Sequence, residues 1–270
     1  MKISYSWEAA GLTDVGMKRE INEDSIFLDA GLGLLILADG MGGHASGEVA
    51  SAMAVASIQD ALGLVDGARP DWTETGGEQL QEKIDTATVA ANAAIHSAAG
   101  MDARYQGMGT TVVLAICNGK SLVYGHVGDS RLYRLRKGSL KQLTRDHSLI
   151  SDLVEKGFYT EEEAKSATQK NVITRALGNE DTVKVDTAQT SLKKGDIYLL
   201  CSDGLTDLVD DEEIAEIIEN RSSLDAACKA LVDSANASGG KDNVSVILLA
   251  VDAAVEGTGL LAKSMNWFLR

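Results

Sequence analysis

Four segments of this chain set an aspartate against a strongly apolar run. Leu34-Leu35-Ile36-Leu37-Ala38 leads into Asp39-Gly40, 122–128 into Asp129, and 197–202 into Asp203-Gly204. Asp242-Asn243 stands just before the run that begins at Val244. One Asp-Gly pair is ordinarily a turn. Four carboxylates at the ends of buried strands are harder to read that way, because at the edge of a core they repel one another and lose hydration. A divalent cation resolves both costs. Oxygen donors without a His or Cys cluster favour magnesium, manganese or calcium over zinc. No loop of alternating Asp and Asn calcium ligands is present, so a binuclear magnesium or manganese site is expected.

A further acidic group lies in Arg19-Glu20-Ile21-Asn22-Glu23-Asp24. Arg19 has two readings: a clamp whose fork matches phosphate oxygens, or a surface arginine paired with Glu20 or Glu23. The glycine-rich stretch from Asp39 to Glu48 allows backbone to approach an ion or phosphate closely. His44 within it is either a general acid beside the metal or a histidine that ties down the loop. Other phosphate chemistries lack their residues. There is no G-x-x-x-x-G-K-[ST] run, since Gly119-Lys120-Ser121 has no earlier glycine and fits a hairpin turn. H-E-x-x-H, G-x-S-x-G and a Cys followed by Arg at phosphatase-loop spacing are also missing. Water activated at a binuclear centre remains as the nucleophile.

These residues need a scaffold that brings distant strands to one end. After Ser46, a plausible N-cap, Val55, Ile58 and Leu62 mark one helix. Leu80, Ile84, Ala87, Ala91, Ala94 and Ala98 mark a second at three- and four-residue steps. A loop from Gly63 to Gly77, holding the single proline Pro70, separates the pair. Strands are expected over 111–117 and 121–127 around Asn118-Gly119, and over 131–136 and 140–143 around Lys137-Gly138-Ser139. Short helices are expected over 148–157 and 160–170, a strand over 196–202, two helices around 214–218 and 224–231, and a closing strand over 244–251. Helix pairs separate antiparallel strand blocks without βαβ alternation. That order predicts an α+β sandwich: two packed sheets with helices outside. The catalytic domain is taken as 1–252. A tail over 253–270 has Leu260, Leu261, Met265, Trp267 and Phe268 for a short amphipathic helix.

Composition narrows the function further. The chain has 270 residues and a formal net charge of −15, the opposite of a nucleic-acid-binding footprint. Acidic runs at 161–163 and 210–213 read as helix starts or surface charge. No apolar segment approaches the roughly 18 residues that suggest a membrane span, and the first residues lack a signal-peptide core. A cytoplasmic location is the default. Cys117, Cys201 and Cys228 have no C-x-x-C spacing and read as small buried hydrophobes.

Taken together, Arg19-x-x-Asn22-Glu23-Asp24, Asp39-Gly40-Met41-Gly42-Gly43-His44, Met108-Gly109-Thr110-Thr111 and Gly125-His126-Val127-Gly128-Asp129-Ser130-Arg131 resemble the metal-dependent protein phosphatases of the type 2C kind, in their bacterial form. Leu143-Thr144-Arg145-Asp146-His147-Ser148, Asn171-Val172-Ile173-Thr174-Arg175-Ala176-Leu177-Gly178, Ser202-Asp203-Gly204-Leu205 and Asp242-Asn243 extend the likeness from Gly11 to Val251. The resemblance implies a four-layer α/β/β/α sandwich with the site at one end of two antiparallel sheets. It implies that Asp39 bridges two manganese or magnesium ions, that Asp203 and Asp242 complete one, and that Glu23 and the Gly40 carbonyl serve the other. Asp129 matches a position that, with Asp203, holds a third, looser ion. Arg19 matches the phosphate-binding arginine, and His44 falls near the proposed general acid. The stretch 145–178 corresponds to a flap that influences substrate choice, although Ala167-Thr168 replaces the His-Pro often found there.

The implied activity is hydrolysis of phosphoserine and phosphothreonine on proteins, opposing a serine/threonine kinase, by a monomer. The competing classes are a pseudophosphatase that binds phosphoproteins without hydrolysis and a scaffold whose aspartates only make turns.

Overall fold

The computed structural model describes residues 4–42, 46–65, 67–160, 163 and 172–255. Its strands form two antiparallel sheets. The first has the order β1 (Ser4–Asp14), β11 (Val244–Val255), β10 (Ile197–Cys201), β7 (Arg131–Arg136), β8 (Ser139–Gln142). The second has the order β2 (Asp24–Asp29), β3 (Leu34–Met41), β5 (Val112–Cys117), β6 (Ser121–Val127), β9 (Asp186–Ser191), with β4 (Gly109–Thr110) paired to the end of β3.

The unbroken apolar run of β3 follows from burial on both faces. Leu34, Ile36 and Ala38 enter an outer core beneath α1 (Ser46–Ala61) and α2 (Gly77–Met101), while Leu35 and Leu37 enter a core between the sheets. β11 divides in the same way. Val246 and Leu248 face α6 (Leu224–Ala237), and Ile247, Leu249 and Val251 face the inter-sheet core. Each fully buried Leu or Ile contributes about 1.5–3 kcal/mol of transfer free energy. Three cores between four layers make the expected α/β/β/α sandwich.

Helix α3 (Leu149–Glu155) follows the Ser148 N-cap, and α5 (Asp211–Glu219) follows Asp210, whose carboxylate accepts the Glu213 N–H. The acidic run at 210–213 is therefore a helix start. All three cysteines are free and buried, as small hydrophobes.

Several elements depart from the sequence reading. β1 and β9 were not anticipated. β9 reads Asp-Thr-Ala-Gln-Thr-Ser, and none of its residues is fully buried because it is an edge strand. β3 continues through Asp39 and Gly40 to Met41 by pairing with β4, so Asp39 lies inside the strand rather than beyond its end. β11 includes 253–255. The expected tail helix after 255, and most of the expected 160–170 helix, lie outside the described residues.

Candidate metal centre

The pleat dictates where the acidic side chains go. Leu35 and Leu37 face the inter-sheet core, so by the two-residue period Asp39 shares that face. Asp24 is its registered partner on β2. Tyr198 and Leu200 put Ser202 on the corresponding face of the other sheet, and the Ser202 hydroxyl donates to Asp24 Oδ2 at 3.0 Å across the gap. The strand directions bring the end of β6, carrying Asp129, to this same end. They also bring the end of β10, carrying Asp203, and the start of β11, carrying Asp242. The site is thus the polar end of the inter-sheet core.

Glycines permit the close approach. A Cβ on Gly40 would collide with the Gly47 carbonyl, and one on Gly204 with the Asn243 carbonyl. The Asp-Gly pairs here serve backbone proximity rather than simple turns. Asp203 opens α4 (Asp203–Thr206). The Thr111 hydroxyl accepts the Asp39 N–H at 3.1 Å and bonds Ser130 Oγ at 2.7 Å, linking Asp39 to the segment that bears Asp129.

With protein groups alone, the carboxyls are poorly suited to charge. Burial, then Asp24, Asp203, Asp129 and Asp242 nearby, push Asp39 well above the usual carboxylate range. Burial and the Asp203 and Asp242 charges raise Asp24 to about 7, against hydrogen bonds from Ser245 and Ser202. Burial and Asp203 raise Asp129 to about 7. Burial, Asp207 and Asp242 raise Asp203 to about 6, opposed by a hydrogen bond with Asp39. Asp24 Oδ1 is buried without a hydrogen-bond partner among the described residues. An all-oxygen donor set with mutual repulsion and an orphaned buried oxygen fits hard divalent cations.

Glu23 and Arg19 flank this group. Glu23 Oε1 accepts the Gly47 N–H at 3.1 Å, at the start of α1. Arg19 Nη2 lies 2.7 Å from Asp242 Oδ2, so its carboxylate partner is neither Glu20 nor Glu23 but a residue far along the chain. The structure therefore brings together Arg19, Glu23, Asp39, Gly40, Asp129, Asp203 and Asp242. His44 lies outside the described residues. Asp24 and Asn243 are members of this group that the sequence alone does not single out; an uninterrupted Glu-Asp before a strand is the signal available for Asp24. A groove of about 820 Å³ opens between α3 and α4–α5 and reaches Asp129 and Asp203.

A second compact group, His126, His147 and Asp186, has ligand-capable atoms within 4.8 Å of one another. Arg175 Nη1 already stands 2.9 Å from His147 Nε2 and 3.2 Å from Asp186. The two imidazoles stack with centroids 4.5 Å apart, so their in-plane lone pairs do not converge. His147 Nδ1 accepts the Gly128 N–H at 3.0 Å, and its Nε2 lies between Asp186 Oδ2 at 3.1 Å and Arg175 Nη1 at 2.9 Å. Burial lowers His126, and burial together with His126 lowers His147 to about 4, so the site disfavours the charged form of both rings. The group fastens the base of the 145–178 segment.

Comparison with known proteins agrees with this geometry. A family model described as protein phosphatase 2C matches residues 17–238. The serine/threonine protein phosphatase PstP of Mycobacterium tuberculosis is 42% identical over 242 residues, 90% of this chain and 44% of that protein. This chain thus spans less than half the length of that relative. The serine/threonine phosphatase stp of Listeria monocytogenes is 39% identical, with 91% of this chain and 96% of that one covered. A crystal structure of the PstP catalytic domain in complex with two manganese ions superposes with a TM-score of 0.80 at 39% identity, covering 92% of this chain and all of that one.

Proposed function

This chain belongs to the protein phosphatase 2C family, and from that premise we propose that it hydrolyses phosphoserine and phosphothreonine on proteins at the carboxylate end of its inter-sheet core, with two manganese or magnesium ions bound. The observation that carries the reading is the convergence of Asp24, Asp39, Asp129, Asp203 and Asp242 from two sheets into one mutually repelling group beside Arg19.

In this reading Asp39 would hold both ions, with Asp203 and Asp242 completing one and Glu23 with the Gly40 carbonyl serving the other. Asp129 and Asp203 would offer a further, looser position. Bound cations would supply an acidified water and offset phosphoryl charge. Arg19 exchanges its Asp242 partner for phosphoryl oxygens and orients the substrate for in-line attack. The flap groove receives the substrate chain next to the phosphorylated residue. His44 is the proposed proton donor to the leaving serine or threonine oxygen.

A serine/threonine kinase with the same substrates is the proposed counterpart, and the enzyme is taken to act as a cytoplasmic monomer. No helix among the described residues is long and apolar enough to cross a membrane. A pseudophosphatase reading has no support, since Glu23, Asp39, Asp203 and Asp242 are all present and the relatives are named as phosphatases.

The test is manganese-dependent release of phosphate from a phosphothreonine peptide by the purified chain. Release without a divalent-ion requirement, or none in saturating manganese, refutes the proposal.

A further inference from the structure

Asn243 touches none of the atoms proposed to react, yet it bonds both ends of the loop that carries two groups of the site. Its Oδ1 accepts the Glu23 N–H at 2.8 Å. Its Nδ2 donates to the Val15 carbonyl at 2.9 Å and to the Ile21 carbonyl at 3.0 Å. Arg19 lies between these anchor points. The backbone N–H of Asn243 donates to Asp242 Oδ1 at 2.9 Å, and Asp242 Oδ2 meets Arg19. Only 4% of Asn243 is exposed.

We propose that Asn243 is a positioning residue that sets Arg19 and Glu23 relative to Asp242, so that phosphate clamp and metal ligands share one frame. The inference rests on the phosphatase reading above. An amide suits the task because it presents a carbonyl and two N–H donors on one short, planar group. Aspartate lacks the donors, and alanine would leave one buried N–H and two carbonyls to find other partners. The loop keeps independent ties: Met17 N–H to the Gly240 carbonyl at 2.8 Å and Asn22 Nδ2 to Thr13 Oγ1 at 2.7 Å. Removal of the Asn243 amide therefore loosens the register of the loop without releasing it from the sheets.

Two double-mutant cycles test this. In the first, KM for a phosphothreonine peptide is measured in saturating manganese for Asn243→Ala, Arg19→Ala and the double variant. Asn243→Ala is expected to raise KM about tenfold, the low end of what a lost charge-assisted contact costs, and to add little once Arg19 is gone. In the second, calorimetry measures manganese binding for Asn243→Ala, Glu23→Gln and their combination, without substrate. Affinity is expected to fall in each single variant and to fall little further in the pair. If the Asn243→Ala effect persists undiminished in either background, or neither KM nor manganese affinity changes, the proposal is overturned. Failure of the wild-type chain to hydrolyse the peptide would sink the phosphatase reading instead, while the calorimetric cycle still decides the role of Asn243. Should Asn243→Ala not fold, Asn243→Ser, too short to reach both loop ends, carries the same cycles.

Discussion

Asp24 and Asp39 stand opposite one another in register on β2 and β3, on the pleat face that looks into the gap between the sheets. Among the described residues, Asp24 is bonded by Ser202 and Ser245, the Asp39 backbone by Thr110 and Thr111, and the Asp39 carboxyl by Asp203. Two facing carboxylates held by hydroxyls, a backbone and a fellow carboxyl are a poor stability device and a good cation receptor.

Replacement of the central carboxylate should separate activity from stability. Asp39→Asn is expected to reduce manganese-dependent peptide hydrolysis to background. It should also raise the thermal midpoint of the chelated protein, because it removes one member of a repelling group. Unchanged turnover, or a lower midpoint in chelator, would contradict the assignment.

Arg19 is exposed, so its loss should leave the fold intact. Arg19→Ala should raise KM for a phosphothreonine peptide roughly 10- to 100-fold, the equivalent of one lost charge-assisted contact of about 1.5–3 kcal/mol. Steady-state kinetics with the thermal midpoint as control decides it; an unaltered KM returns Arg19 to the surface.

The acid–base behaviour has a definite sign. Asp24, Asp129 and Asp203 have folded pKa values raised to about 7, about 7 and about 6, so without metal the folded state holds more protons than the unfolded one from about pH 4 to 7. Their contribution therefore weakens as pH rises through that window. A cation needs them ionised. The stabilisation conferred by manganese should accordingly grow from pH 5 to pH 8. His147, lowered from 6.5 to about 4, works in the opposite direction between those values. Paired melting curves in manganese and in chelator provide the check, and a pH-independent gap would refute it.

Thr111 holds Asp39 through its hydroxyl. Thr111→Val keeps the shape and leaves the Asp39 N–H short of a partner, at a cost of about 1–3 kcal/mol. Loss of a group that orients a ligand typically lowers metal affinity about 10- to 100-fold. Calorimetric manganese binding equal to wild type would show that the hydroxyl has no such role.

The sandwich and most of the centre were legible because strands buried on both faces, such as β3 and β11, leave unbroken apolar runs and make a terminal Asp conspicuous. The edge strands β1 and β9 escaped because nearly all their residues are half-buried or exposed, Ala10 apart, and carry no such run. Asp24 and Asn243 escaped for a different reason. Their significance lies in what stands opposite them, Asp39 on a neighbouring strand and Val15 and Ile21 on a distant loop, and no local spacing encodes that. Arg19 was ambiguous from sequence because its partner, Asp242, is 223 positions away.

The carboxylates come from both sheets, with Asp24 and Asp39 on one and Asp203 and Asp242 adjoining the other. An ion seated among them fastens two layers that otherwise meet at this end through contacts such as Ser202 with Asp24. Sequestering the ion would then do more than silence chemistry: it would unclasp the mouth of the sandwich, and nearby peptide bonds should become easier for a protease to reach.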